Sequence, residues 1–452
     1  MEQIIQANEG ILKILGTAKT SDTGYRMLKY CLSTPTEEGT LLFNVLTREL
    51  LLLTPEEFAG ALDSEYLRRQ WFVVPCHTDE KKLVGLVRWL QSAVGKKPGY
   101  LNDFTIFTTT DCNARCFYCF ELGRSRIPMS EETADKTVAF ILANYGGKKV
   151  RLNWFGGEPL MNVAVIDRIC TGLEAAGVDF ISHMVSNAYL FSDELVARAK
   201  TLWKLKRVQI TVDGTEEVYN RCKAYVYRQG SAYQVVMGNI GRLLDAGIGV
   251  SARLNMDSHN ADNLLELADE MAQRFAGKEG LGVYAHLIFN DKKAWDQRHT
   301  LEQWARLYEI RQRLEEKLSA CGLNPWEFAR LKRELPVQYC MADNRCAVTI
   351  LPDGHLGRCE HYTESEFVGH LDSAERDQAV IAAWQARIDE LPACKDCFNY
   401  PQCVTLKKCP DRMECIEPER ETIRRHTQQA MINELRFWRE GAPETGSEEE
   451  LR

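Results

Sequence analysis

The stretch FTTTDCNARCFYCFELG, residues 107–123, sets Cys112, Cys116 and Cys119 at intervals of four and three. Phe104–Thr110 is β-branched and aromatic and predicts a strand, so the cysteines fall in the loop where that strand ends. From there to about Asn290, runs of the same kind alternate with helix-length segments, the signature of parallel βα units. Six strands are expected: Phe104–Thr110, Val150–Phe155, Phe180–Val185, Val208–Val212, Val250–Asn255 and Val283–Phe289. Helices are expected at Ser130–Asn144, with Ser130 as N-cap, and at Asp193–Leu202, Tyr233–Ala246 and Asn260–Arg274. Six units fall two short of a closed eightfold barrel, so the expected fold class is α/β, a partial (β/α)6 barrel with an open side. Chemistry in such folds sits at the C-terminal ends of the strands, where FTTTDC, FGGEP, SNAY and TVDG all lie.

The flanks have other rhythms. GTLLFNVLTRELLLLT reads as a hairpin turning at Leu46–Arg48, followed by helices at Pro55–Leu62, Ser64–Gln70 and Glu80–Val94, the order of a small winged-helix-like domain with an exposed strand edge. KKPGY, residues 96–100, reads as the linker into the barrel. Beyond the barrel, Leu301–Leu318, Pro325–Glu334 and Pro418–Glu440 read as helices, and APETGSEEELR as a disordered acidic tail. The expected domains are 1–98, 99–300, 301–339 (a helical bridge), 340–417 (cysteine-rich) and 418–452.

A net charge of −8 over 452 residues argues against nucleic acid as main partner, because phosphate binding needs a basic face. No apolar run is long enough to span a bilayer, and the N-terminus lacks the features of a secretory signal, so the expected location is cytoplasmic. Sixteen cysteines is a high count for a reducing compartment, where clustered thiols bind metal more often than they form disulfides. The scattered ones, Cys31, Cys76, Cys170, Cys222 and Cys321, are expected in buried apolar packing.

Three thiolates spaced C-x3-C-x2-C can hold three irons of a cubane and leave the fourth open, which suits catalysis. The blander readings are a zinc site and three unrelated core cysteines. Zinc would want a fourth ligand nearby, and the next histidine after Cys119 is His183.

This spacing, with the aromatic Tyr118 before the third cysteine in the loop after the first barrel strand, resembles the radical S-adenosylmethionine (SAM) enzymes over residues 100–290. The resemblance implies that Cys112, Cys116 and Cys119 hold a [4Fe–4S] cluster whose open iron chelates SAM, and that reductive cleavage gives a 5′-deoxyadenosyl radical able to take hydrogen from an unactivated C–H bond. It implies that Gly156, Gly157 and Glu158 meet the methionine amino group, that Ser186 and Asn187 lie near the ribose, and that Tyr118 belongs to an adenine-contacting loop. Thr211 takes the place of a serine in the family's S-x-D-G. Lys223 stands where relatives often carry an arginine facing the methionine carboxylate. Arg253, Asn255 and Met256 are further candidates beside the cofactor, against ordinary strand-end residues.

The second cysteine group runs C-x5-C-x12-C, then C-x2-C-x5-C-x5-C-x5-C, and its spacing alone admits two zinc sites or two four-iron clusters. With Gly354 five residues before Cys359, it resembles the auxiliary-cluster (SPASM) domain of peptide-modifying radical enzymes. By that likeness Cys340, Cys346, Cys359 and Cys409 hold one cluster and Cys394, Cys397, Cys403 and Cys415 the other, for three [4Fe–4S] clusters in all. The family usually has three residues before the position of Cys409 where this chain has five, so Cys409 and Cys415 are open to exchange. Glu360 occupies a position where some sulfatase-maturating relatives carry a proton acceptor, with His361 as second candidate, against a merely solvated residue.

The N-terminal order resembles the precursor-recognition element of ribosomal-peptide maturases, where a leader peptide adds a strand to a sheet edge. The leading expectation is therefore a maturase that forms a carbon–carbon or thioether crosslink in a precursor peptide, served by a flavodoxin- or ferredoxin-type electron donor, with no nucleic-acid or membrane partner. Formylglycine formation on a protein, peptide epimerisation with Cys222 returning hydrogen, and a non-catalytic iron–sulfur carrier are the competing readings.

Overall fold

Both faces of the first hairpin are apolar in sequence, and packing on both sides explains it. The structure, a computed structural model, describes residues 3–6, 9–16, 23–94, 99–227, 230–288, 301–324, 329–336, 338, 340–361, 366–388, 390–409 and 415–440. Its first segment contains β1 (Gln3–Gln6), α1 (Glu9–Leu15), β2 (Tyr25–Met27), β3 (Cys31–Thr36), β4 (Gly39–Asn44), β5 (Glu49–Leu53), α2 (Pro55–Ala59), α3 (Glu65–Arg69), β6 (Val73–Pro75) and α4 (Glu80–Val94). Strands β4 and β5 pair antiparallel with Asn44 opposite Glu49, which puts the turn where the sequence places it. The Asn44 side chain fixes that turn by accepting from the amides of Leu46 and Thr47.

Among the described residues the sheet order is β1-β5-β4-β3, with β2 and β6 a separate ribbon. Leu42, Leu51 and Leu53 pack on Leu67, Phe72 and Val73. The opposite face, Leu41, Phe43, Leu50 and Leu52, packs on Ala430, Met431 and Leu435 from the C-terminal helix. That core also takes in Leu331, Leu335 and Phe398, so it crosses the expected boundary at residue 98.

The barrel strands are β7 (Asp103–Thr109), β8 (Val150–Gly156), β9 (Phe180–Ser186), β10 (Leu205–Thr211), β11 (Gly249–Met256) and β12 (Leu281–Leu287). All are parallel and lie in chain order. Between them run α5 (Glu131–Asn144), α6 (Val163–Ala175), α7 (Asp193–Thr201), α8 (Glu216–Lys223), α9 (Ala232–Asp245) and α10 (Ala261–Arg274). Ser130 caps α5 as expected, accepting from the Thr133 amide at 3.1 Å, and Ser192 and Ser231 do the same for α7 and α9. The arc is open, and on the β7 side it continues beyond the six expected strands. There β13 (Ala347–Ile350) joins β7 in parallel, and β14 (His355–Gly357) and β15 (Gly369–His370) follow antiparallel.

Three helices complete the described chain: α11 (Leu301–Ala320), α12 (Gln378–Gln385) and α13 (Glu417–Glu440). Helix α11 lies against α10, tied by Lys317 to Asp269 at 2.6 Å and Arg306 to Asp262 at 3.2 Å. The expected helix at Pro325–Glu334 is not formed at residues 329–334, and 325–328 lie outside the described residues. Most of the linker and all of the acidic tail lie outside them too. Of the scattered cysteines, Cys170 is buried as expected, but Cys76 and Cys321 are exposed because each falls just past the end of its element. No helix among the described residues is long and apolar enough to cross a membrane.

Candidate functional site

Strand ends converge on the first cysteine loop, and backbone hydrogen bonds hold them together. The amide of Gly157 donates to Thr109 O at 3.0 Å and that of Glu158 to Asp111 O at 2.9 Å. A Cβ at Gly157 would stand 2.2 Å from Asp111 O, so only glycine lets the GGE segment lie flat on this loop.

Glu158 is fully buried, and both carboxylate oxygens are in use. Oε1 accepts from Ser186 Oγ at 2.8 Å and Leu160 N at 3.1 Å, and Oε2 from Asn187 N at 2.8 Å. Burial pushes this carboxyl up to about 7, while the hydrogen bonds pull it down. Asn187 Nδ2 in turn donates to Asn113 Oδ1 at 2.7 Å and approaches Cys112 Sγ at 3.8 Å. The second, third and first strand ends are thereby one hydrogen-bonded assembly around Cys112.

The opposite side of the loop is held by charge. Lys223, 2% exposed, lies 3.1 Å from the fully buried Asp213 and donates to Tyr118 OH at 2.8 Å and Thr211 Oγ1 at 2.6 Å. Tyr118 OH donates to Asp213 Oδ2 at 2.6 Å. The Lys223 carbonyl accepts from Arg115 N at 2.8 Å, and Asn113 O accepts from Val226 N at 2.9 Å. Sequence reading singled out Lys223, Tyr118 and Thr211 for the cofactor; the structure joins them to one another through Asp213, which it had passed over. The signal was there in the aspartate of TVDG.

Alternation along β11 separates the remaining candidates. Val250, Ala252, Leu254 and Met256 share one parity, and all are buried in the core formed with the helices. The Met256 side chain belongs to that packing. Arg253 has the other parity and faces the barrel interior. Burial lowers the His286 imidazole well below its usual value, reinforced by Arg253, Arg311 and His361.

Of the later cysteines, Cys340, Cys359 and Cys409 share a small core with Ala342, Trp384 and Leu406. The neighbours of Cys346 are Tyr100 and Asp103, at the start of β13. Burial raises the Cys397 thiol, and Cys415, Cys403 and Cys394 around it raise it further, which groups the outer four. Glu360 points back at its neighbour, accepting from Cys359 Sγ at 3.7 Å. His361 instead packs against Phe120, ring centroids 4.1 Å apart and planes tilted by 40°, and so bridges the two cysteine regions.

The chain matches the Radical SAM superfamily over residues 106–271. Those residues carry a radical SAM domain. This match spans the cysteine loop and the first five barrel strands. Among relatives, the GTP 3′,8-cyclase of Clostridium perfringens is 28% identical over 183 residues, which is 39% of this chain and 53% of that protein. That of Limosilactobacillus fermentum is 30% identical over 146 residues, 30% of this chain and 41% of that protein. The chain thus spans about half the length of the curated relatives it matches. Among solved structures, anSMEcpe with bound AdoMet and Cp18Cys peptide superposes with a TM-score of 0.55 at 10% identity, over 75% of this chain and 99% of that one. Streptococcus suis SuiB bound to precursor peptide SuiA gives 0.51 at 11% identity, over 86% and 98%. The fold is shared.

The residues present fit the superfamily's cofactors. Cys112, Cys116 and Cys119 are free thiols, soft donors that suit an iron–sulfur cluster. Beside them Asn113 Nδ2, Asp213 Oδ1 and Arg253 Nε are buried without a hydrogen-bond partner, so polar atoms await a polar ligand at this end of the barrel. Among the described residues, no three His, Cys, Asp or Glu side chains close on a point where a single metal ion would sit.

Proposed function

We propose that this chain is a radical SAM maturase that oxidatively crosslinks a ribosomally made precursor peptide. The observation that carries it is the first cysteine loop, held flush against a glycine-glycine-glutamate strand end whose buried carboxylate can face an ammonium. Cys112, Cys116 and Cys119 would hold the SAM-binding cluster, with Glu158, Ser186, Asn187 and Arg253 toward SAM. Bound there, the cofactors supply a 5′-deoxyadenosyl radical that removes hydrogen from a C–H bond. Cys340, Cys346, Cys359 and Cys409 would hold one auxiliary cluster, and Cys394, Cys397, Cys403 and Cys415 the second, giving the electron left on an oxidised substrate somewhere to go. His361, between the two cysteine regions, is better placed than Glu360 to take a proton from substrate.

The test is anaerobic reconstitution, reduction with dithionite, and incubation with SAM and precursor peptides encoded beside the gene. Release of 5′-deoxyadenosine with loss of two hydrogen atoms from one peptide is expected, and its absence with every neighbouring peptide would refute the crosslinking assignment. Changing Cys112, Cys116 and Cys119 together to alanine should bring release to background; a triple variant that still cleaves SAM would remove the basis of the reading.

A leader peptide would add at β1 rather than β3. The β3 edge includes Pro35, which has no amide to offer, and its Ser33 carbonyl already accepts from Gln428 Nε2 at 3.2 Å. Hydrogen exchange with the leader bound should slow at residues 3–6 and not at 31–36; the reverse pattern would move the docking edge to β3.

A further inference from the structure

The outer cysteine loop is gripped by arginines, one of which comes from the N-terminal domain. Ile388 N donates to Thr405 O at 3.1 Å and Lys407 N to Ala386 O at 2.7 Å, closing a loop that contains Cys394, Cys397 and Cys403. From α4, Arg88 reaches into it: Nε donates to Pro401 O at 3.1 Å, and Nη2 to Cys403 O at 2.5 Å and to Tyr400 O. Its guanidinium lies 5.0 Å from the centroid of the Tyr400 ring, which stacks on Tyr30. Arg387 supplies a second donor to Cys403 O at 3.2 Å, and Arg420 donates to Cys415 O at 2.5 Å.

Three consequences follow from this geometry. A planar fork that satisfies three carbonyls of one short loop fixes that loop's shape in a way an ammonium cannot. A fixed cation beside a thiolate ligand favours the more negative, reduced state of a cluster and so raises its potential. The support comes from the same domain whose sheet would receive the peptide.

We propose that Arg88 is a positioning residue for the cluster held by Cys394, Cys397, Cys403 and Cys415, and that it raises the reduction potential of that cluster. The N-terminal domain is then a wall of the electron relay as well as a docking module. This rests on reading those four cysteines as cluster ligands.

The experiment uses the full chain in three variants. Cys394→Ala/Cys397→Ala should lose one cluster's share of iron; full retention would overturn the ligand reading and this proposal with it. Arg88→Gln removes the charge and should shift the midpoint of one cluster to more negative potential in a spectroelectrochemical titration. Arg88→Lys keeps the charge and should restore the midpoint. Both Arg88 variants should speed hydrogen exchange at residues 394–403 in the iron-free chain, because neither has the fork. If the cysteine variant loses iron while Arg88→Gln leaves both midpoint and exchange as in the parent, the ligand reading stands and the role of Arg88 is overturned.

Discussion

Lys223→Met is expected to lower stability by about 3–5 kcal/mol, the loss seen when one partner of a buried ion pair is removed, and to leave a first cysteine loop that loads iron poorly. The substitution keeps the volume and removes the ammonium that lies 3.1 Å from the fully buried Asp213 carboxylate. Burial works against the ammonium, but Asp213 and Tyr118 hold its pKa well above the usual amine value. Without it, the Asp213 carboxylate retains only the Tyr118 hydroxyl, and Tyr118 and Thr211 each lose a partner. Because Tyr118 lies between Cys116 and Cys119, the damage reaches the thiolates directly. Urea unfolding of the iron-free chain and iron content after reconstitution are the measurements. A second variant separates the causes: Lys223→Met/Asp213→Leu removes both charges and should regain much of the stability while iron loading stays low. Had Lys223 served chiefly to meet the SAM carboxylate, Lys223→Met would weaken SAM binding and leave unfolding within about 0.5 kcal/mol of the parent; that outcome would sink the structural role.

Barrel strands were legible because β-branched runs between helix-length segments admit few other arrangements, and their bounds shift by only a few residues in the structure. The two cysteine groups stand out in the sequence because close thiol spacing is itself a chemical signal. What the sequence hid was contact across long separations. Strands β13 to β15 are two to four residues long, too short for a period to show, and they exist because β7 offers them an edge. Strand β1 and helix α1 were hidden in the same way: their partners, β5 and α4, lie further along the chain. Residues named from a family motif inherited the motif's roles, whereas the structure shows each one's neighbours. Lys223 faces Asp213, Met256 faces the helices, and Glu360 faces Cys359. The aspartate of TVDG is visible in the sequence, but its pairing with a lysine ten positions further on leaves no local pattern.

Gly157→Ala should reduce 5′-deoxyadenosine release roughly 100-fold, the scale set by a displacement of about 1 Å in a reacting geometry. The added Cβ would meet Asp111 O at 2.2 Å, Asp111 C at 2.5 Å and Thr110 O at 2.9 Å, all of them backbone. No rotamer relieves such a clash, so one segment must move. Gly157 cannot retreat without breaking the hydrogen bonds from its own amide to Thr109 O and from Glu158 N to Asp111 O. Asp111 cannot retreat without carrying Cys112, whose amide is held by the Asp111 carboxylate at 2.8 Å. Either movement separates the Glu158 carboxylate from the thiolate loop, and the ammonium and the cluster would no longer be met together. Gly238→Ala is the control: it lies within α9, nothing stands within 4 Å of its added Cβ, and it should stabilise the helix by up to about 1 kcal/mol with release unchanged. If Gly157→Ala kept at least half the parent rate while Gly238→Ala behaved as expected, the GGE strand end would not be the part of the barrel against which SAM is held, and the assignment of Glu158 would fall with it.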